Sequence, residues 1–142
     1  MFKVVNKQYN WATGIHELTI MFQLKPNGNI INYSTEFTTE SQLINWLEFE
    51  KKNYILLKVE NFVFHKKHIF ENSKGADAEK LKTINMFLFK FAPWAIEKAS
   101  LTEIKKILKD LMPKLESLMP SYYNKSFESS KDELKNIKKF IE

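Results

Sequence analysis

The chain contains no arginine and no cysteine; all twenty-two of its basic residues are lysine. The first absence removes the guanidinium fork that grips phosphate, carboxylate or guanine with two parallel hydrogen bonds. The second removes thiol nucleophiles, disulfides and thiolate metal sites. Glycine occurs only at positions 14, 28 and 75, too sparsely for a glycine-rich phosphate loop. Aspartate occurs only at 77, 110 and 132, so there is no aspartate-rich metal run. Neither a His-Glu-x-x-His motif nor a serine in a nucleophile elbow is present. Glu48 and Glu50 lie two apart on an expected helix and therefore do not face each other. Together these absences predict a protein that is not an enzyme and that carries no cofactor and no metal. The most apolar run, residues 86–96, is interrupted by Lys90 and Pro93 and is about half the ~20 residues needed to cross a bilayer. The first eight residues have neither the apolar run nor the cleavage site of a secretory signal, so the expected location is cytoplasmic, without membrane association. Lysine usage together with abundant Asn, Ile and Phe matches the codons of an AT-rich genome, which accounts for the missing arginine without assigning it a purpose.

What is present is a dense supply of core material. Hydrophobic residues make up 44% of the 142, and phenylalanine occurs twelve times, which argues against disorder and for one well-packed domain, 1–142. Charge is unevenly placed. Residues 1–64 hold six lysines and six acids, whereas 65–142 hold sixteen lysines and eleven acids, so the whole net charge of +5 falls in the second part.

The local patterns predict an α+β fold: a sheet-rich half over 1–71, with three to five mostly antiparallel strands, packed by a helical half over 76–142. Leu18, Ile20, Phe22 and Leu24 alternate, Pro26-Asn27-Gly28-Asn29 turns the chain, and Ile31, Tyr33, Thr35 and Phe37 alternate again. Pairing Leu24 with Ile31 and Phe22 with Tyr33 keeps the apolar residues on one face, and a one-residue slip would expose them. Thr39-x-x-Gln42 is a capping box that opens a helix near Glu40, with Lys51-Lys52-Asn53 as its end. Residues 54–59 are short, branched and bounded, which predicts a strand returning beside the first hairpin strand through a right-handed crossover. Short strands are expected at 62–64 and 69–70, and another near 2–5. A helix follows over 76–91 and stops at Pro93, although its end over 86–91 is apolar nearly all round and reads equally as a buried strand. Ser100-x-x-Glu103 opens the next, whose stripe runs from Ile104 to Leu118 across Pro113, which kinks or restarts it. Ser130-x-x-Glu133 opens the last. Residues 72–75 and 121–130 read as loops.

Three clusters stand out as candidate binding surface. Phe62, Phe64, His65, Lys66, Lys67, His68 and Lys74 combine aromatics with cations, the composition of a surface that stacks single-stranded bases while lysines track phosphates. The two histidines, three apart on a strand, would point to opposite faces and have no Cys or Asp at ligand spacing, so a solvated turn is expected there, not a metal site. Phe89 and Trp94 belong to the apolar segment 86–94, which is core if buried and a protein-binding or homodimer patch if exposed. Tyr122, Tyr123 and Lys125 lie in an expected loop. Lysines 105, 106, 109 and 114 alternate with Glu103, Asp110 and Glu116, the pattern of a solvated helix face and not of a duplex-DNA reading helix. The composition suits a protein-binding regulator or inhibitor, of the accessory type found in bacteria, phages or mobile elements, docking on an acidic partner. RNA or single-stranded DNA binding with weak sequence preference is the alternative.

Overall fold

The computed structural model describes residues 1–24, 28–70, 76–117 and 125–141, with side chains of 65–70, 76–78 and 125–131 left outside. It is an α+β protein: β1 (Phe2–Asn10), β2 (Ile15–Phe22), β3 (Ile31–Phe37), α1 (Glu40–Phe70), α2 (Ala76–Lys98), α3 (Leu101–Ser117) and α4 (Lys125–Ile141). The chain divides into two compact units, Met1–Tyr54 and Ile55–Glu142.

The first unit is an antiparallel meander in the order β1-β2-β3, carrying the start of α1. β1 and β2 join through residues 11–14, where the Gly14 N–H reaches the Asn10 carbonyl at 2.8 Å and Gly14 takes φ +70°, a left-handed conformation costly for residues with a Cβ. Asn10 also accepts from the Ala12 N–H through its side chain at 3.0 Å. The hairpin register differs from the expected one by two residues: Phe22 pairs with Ile31 and Ile20 with Tyr33. The connection is correspondingly longer, and the Gln23 side-chain amide spans it by donating to the Gly28 carbonyl at 2.8 Å. An even slip preserves the faces, so Leu18 and Ile20 are buried as the alternation requires. They meet Leu43 of α1, with Phe2, Phe22, Phe37, Trp46 and Leu47 packed around them.

The expected strands at 54–59, 62–64 and 69–70 are instead the continuation of α1, and no parallel crossover forms among the described residues. Lys51-Lys52-Asn53 does not end the helix. Ile55, Leu56, Val59, Phe62 and Val63 are all at most 1% exposed, and their spacing of one, three or four residues is the period of a helix buried on one side. A strand would have sent half of them to the opposite face.

In the second unit these residues pack with α2, α3 and α4 into one core. α2 passes Pro93 and reaches Lys98, against the expected stop. Ala92, Ala95 and Ala99 are buried on one flank and the proline ring is on the exposed one, so burial offsets the lost ladder donor. Pro113 does not restart a helix but sits within α3, between buried Met112 and Leu115, and the expected stripe continues past it. α4 begins at Lys125, earlier than the expected Ser130, and buries Leu134, Ile137 and Ile141.

Both expected caps at the starts of α1 and α3 are present in their essential bond. The Gln42 N–H donates to the Thr39 hydroxyl at 3.2 Å, although the Gln42 side chain accepts from Thr38 at 2.9 Å and does not return to Thr39. The Glu103 N–H donates to the Ser100 hydroxyl at 3.2 Å. Ser100→Ala removes that acceptor and is expected to cost about 1 kcal/mol. Urea unfolding followed by far-ultraviolet circular dichroism measures it, and an unchanged midpoint would show that the cap contributes nothing.

Candidate functional site

The candidate surface resolves into residues with different fates. Phe62 is 0% exposed and part of the second unit's core, so it cannot offer a ring to a base or a partner. Phe64, two residues on, is 50% exposed. His65, Lys66, Lys67 and His68 lie within α1, not in a turn between strands, and their side chains are outside the described residues. Lys74, Tyr122 and Tyr123 are also outside, as is the side chain of Lys125, the first residue of α4.

Phe89 and Trp94 are brought onto the exposed side of α2. Its buried stripe is Leu81, Ile84, Leu88, Phe91, Ala92 and Ala95, the period expected of a helix packed on one side. Outside that stripe the sequence keeps supplying large apolar residues: Met86 is 52% exposed, Phe87 44%, Phe89 81% and Trp94 49%. Phe87 and Trp94, seven apart, fall within about 20° of each other around the axis, with Phe89 on the other flank. Phe87 stacks on Phe91 at 5.3 Å between centroids, and Phe91 meets Trp94 at 5.9 Å. Phe87, Phe91 and Trp94 therefore form one continuous row of rings.

Beside that row α2 and α3 leave a groove of about 340 Å³. Ile84 and Phe87 form one wall, Ile107 and Leu111 the other, and Asp110 and Lys114 sit at its rim. Such a groove accepts an apolar side chain and offers charge only at its margin, the arrangement of an interface core with a polar rim. Lys82 and Lys90 are exposed on α2 close to Phe89 in sequence.

Sequence reasoning missed a second aromatic group, in the first unit. Trp11, on the β1–β2 turn, is 88% exposed and meets Tyr9 edge-on at 4.9 Å; Tyr9 in turn lies 4.6 Å from His16. Tyr9 and His16, with Gln8 and the exposed pair Lys7 and Glu40, 3.9 Å apart, line an open concavity. The signal was Tyr9-x-Trp11 preceding Gly14, legible only once 2–10 is recognised as a full-length strand.

Ionisable groups wholly or partly withdrawn from water lie on α1. Lys58 is 8% exposed, and burial lowers its pKa from 10.5 while the Glu133 charge partly raises it again. Burial also pushes the Glu50 and Glu60 carboxyls above their ordinary range, and the Tyr54 hydroxyl up to about 12. Because the folded state holds the Glu60 proton more tightly, stability falls as pH rises from about 4.5 through the raised value. For Lys58 the sign reverses: the penalty is complete below its folded pKa and is lifted as pH climbs toward 10.5. Glu60→Gln is therefore expected to lose less stability than wild type between pH 4.5 and 7 in urea titrations, and parallel losses would remove Glu60 from the account.

Among the described residues no group of three or more His, Asp or Glu side chains is placed to hold a metal ion, and no helix is long and apolar enough to cross a membrane. Comparison with protein-family models, curated proteins and solved structures found no match to this chain.

Proposed function

We propose that this chain is a protein-binding regulator or inhibitor whose contact surface is the outward side of α2 together with the α2–α3 groove. The observation that carries the reading is the simultaneous exposure of Met86, Phe87, Phe89 and Trp94 on one helix whose opposite side is fully buried. A helix that needed only to pack would place polar residues there. Exposed aromatic anchors are the residues that dominate binding energy at protein interfaces. The unit bearing this face holds seventeen lysines and twelve acids, so all of the formal +5 lies in it. That favours a partner with an apolar ridge bordered by acidic residues, and lysine ammoniums make such contacts salt-sensitive and tolerant of orientation.

Single-stranded nucleic acid draws less support, because Phe62 is withdrawn into the core. The test is affinity capture from source-cell lysate, with and without nuclease, using wild type and a Phe89→Asp variant. The expected result is an acidic protein retained at constant stoichiometry after nuclease and lost with the variant. Captured material that disappears with nuclease would transfer the reading to nucleic acid.

A further inference from the structure

The three-stranded sheet has two edges, and they are defended unequally. Exposed backbone edges invite pairing with another strand, and proteins discourage this with lysines and bulges. β1 has both: Lys3 and Lys7 lie along it, and its pairing with β2 shifts register between Val4 and Asn6. β3 has neither a lysine nor a proline, and its pairing with β2 runs without a shift from Phe37 to Ile31. Its one charged residue is Glu36. Beside this edge lies exposed apolar surface, with Ile31 41% and Tyr33 52% exposed. Trp46 stacks on Tyr33 at 5.6 Å, and Phe49, one helical turn further on, is 43% exposed.

Charge points to the occupant. Residues 1–54 hold five lysines and five glutamates, so this unit is formally neutral while the other carries the net charge. A neutral unit does not repel its own copy. We infer that β3 is a self-association edge: two copies pair their β3 strands antiparallel about a two-fold axis through Ser34, joining two three-stranded sheets into one of six.

The register follows from the sequence of the strand. Centring on Ser34 sets Ile31 opposite Phe37 of the second copy, Asn32 opposite Glu36, and Tyr33 opposite Thr35, so all seven residues are paired. Odd-numbered residues stay on the helix-bearing face and even-numbered ones on the open face in both copies. Glu36 meets an amide. Centring on Glu36 would oppose two carboxylates, and centring on Tyr33 or Thr35 would leave two residues unpaired at one strand end. The inference does not depend on the α2 face.

Because the chain has no cysteine, single introduced cysteines report the pairing without background. Ser34→Cys is expected to form a covalent dimer under mild oxidation. Asn32→Cys and Glu36→Cys are each expected to stay single when alone and to join when mixed, since the register sets 32 against 36. Sedimentation should give twice the chain mass for wild type and one chain mass for Ser34→Lys, which opposes two ammoniums at the axis on an exposed position. A wild-type chain that sediments as a monomer at every concentration would overturn the inference. So would a dimer indifferent to Ser34→Lys, or cross-linking as efficient at 32 alone as at 34.

Discussion

Phe89→Asp is expected to weaken partner binding on the order of 100-fold, the loss typical of removing an interface hot spot of two to three kcal/mol. The unfolding midpoint should not move. Phe89 is 81% exposed, so the folded state gains little from its ring, and the substitution affects only what docks there. Trp94→Ala is expected to act in the same direction but to be less clean, because Trp94 is half-buried and rests on Phe91. Two further features of the measurement separate anchor from charge. Raising salt should weaken wild-type binding through the lysines, whereas the Phe89→Asp deficit also contains lost apolar contact that salt does not restore. Titration calorimetry with the captured partner gives both. Wild-type affinity in Phe89→Asp would remove α2 from the interface.

The second large effect concerns stability and separates two phenylalanines that look alike in sequence. Phe62→Ala is expected to cost about 3–5 kcal/mol, because it empties a fully enclosed site whose neighbours are held by three other helices. Phe64→Ala, two positions away on the half-exposed side of α1, should cost less than about 1 kcal/mol. Against a total stability of about 5–15 kcal/mol, the first loss leaves a chain close to its unfolding threshold. Urea denaturation of the two variants side by side measures the difference. Equal losses would mean that the helical phase of α1 is wrong, and with it the assignment of Phe62 to the core.

That pair also shows what a short window cannot read. Residues 54–59 satisfy every local criterion for a strand, and Lys51-Lys52-Asn53 resembles a helix end. A longer window carries the opposite message. No glycine or proline occurs between Gly28 and Gly75, and the buried positions 55, 56, 59, 62 and 63 keep helical phase across the supposed boundary. Local propensity was ambiguous, and packing against α2, α3 and α4 decided it. The hairpin behaved differently. Its parity was legible because the alternation of Leu18, Ile20 and Phe22 permits only even slips, whereas the actual register depended on the Gln23–Gly28 closure, which no turn rule specifies. Pro93 failed in the other direction: it carries the correct local penalty, yet it falls on the exposed side of a helix whose buried stripe continues past it, whereas the stripe across Pro113 was legible in the sequence.

By itself the sequence determined the α+β class, the capping bonds of Thr39 and Ser100, the helical stripes of α3 and α4 and the confinement of net positive charge to the later part of the chain. Each of these rests on neighbours within a few residues or on composition, and needs no knowledge of what lies across the core. Only the tertiary structure decided that α1 is one helix, that Phe62 is enclosed while Phe89 is not, and that β3 is left as the undefended edge. Twelve phenylalanines are interchangeable to a composition count. Burial depends on which neighbouring element arrives to cover a residue, and that is a property of long-range packing.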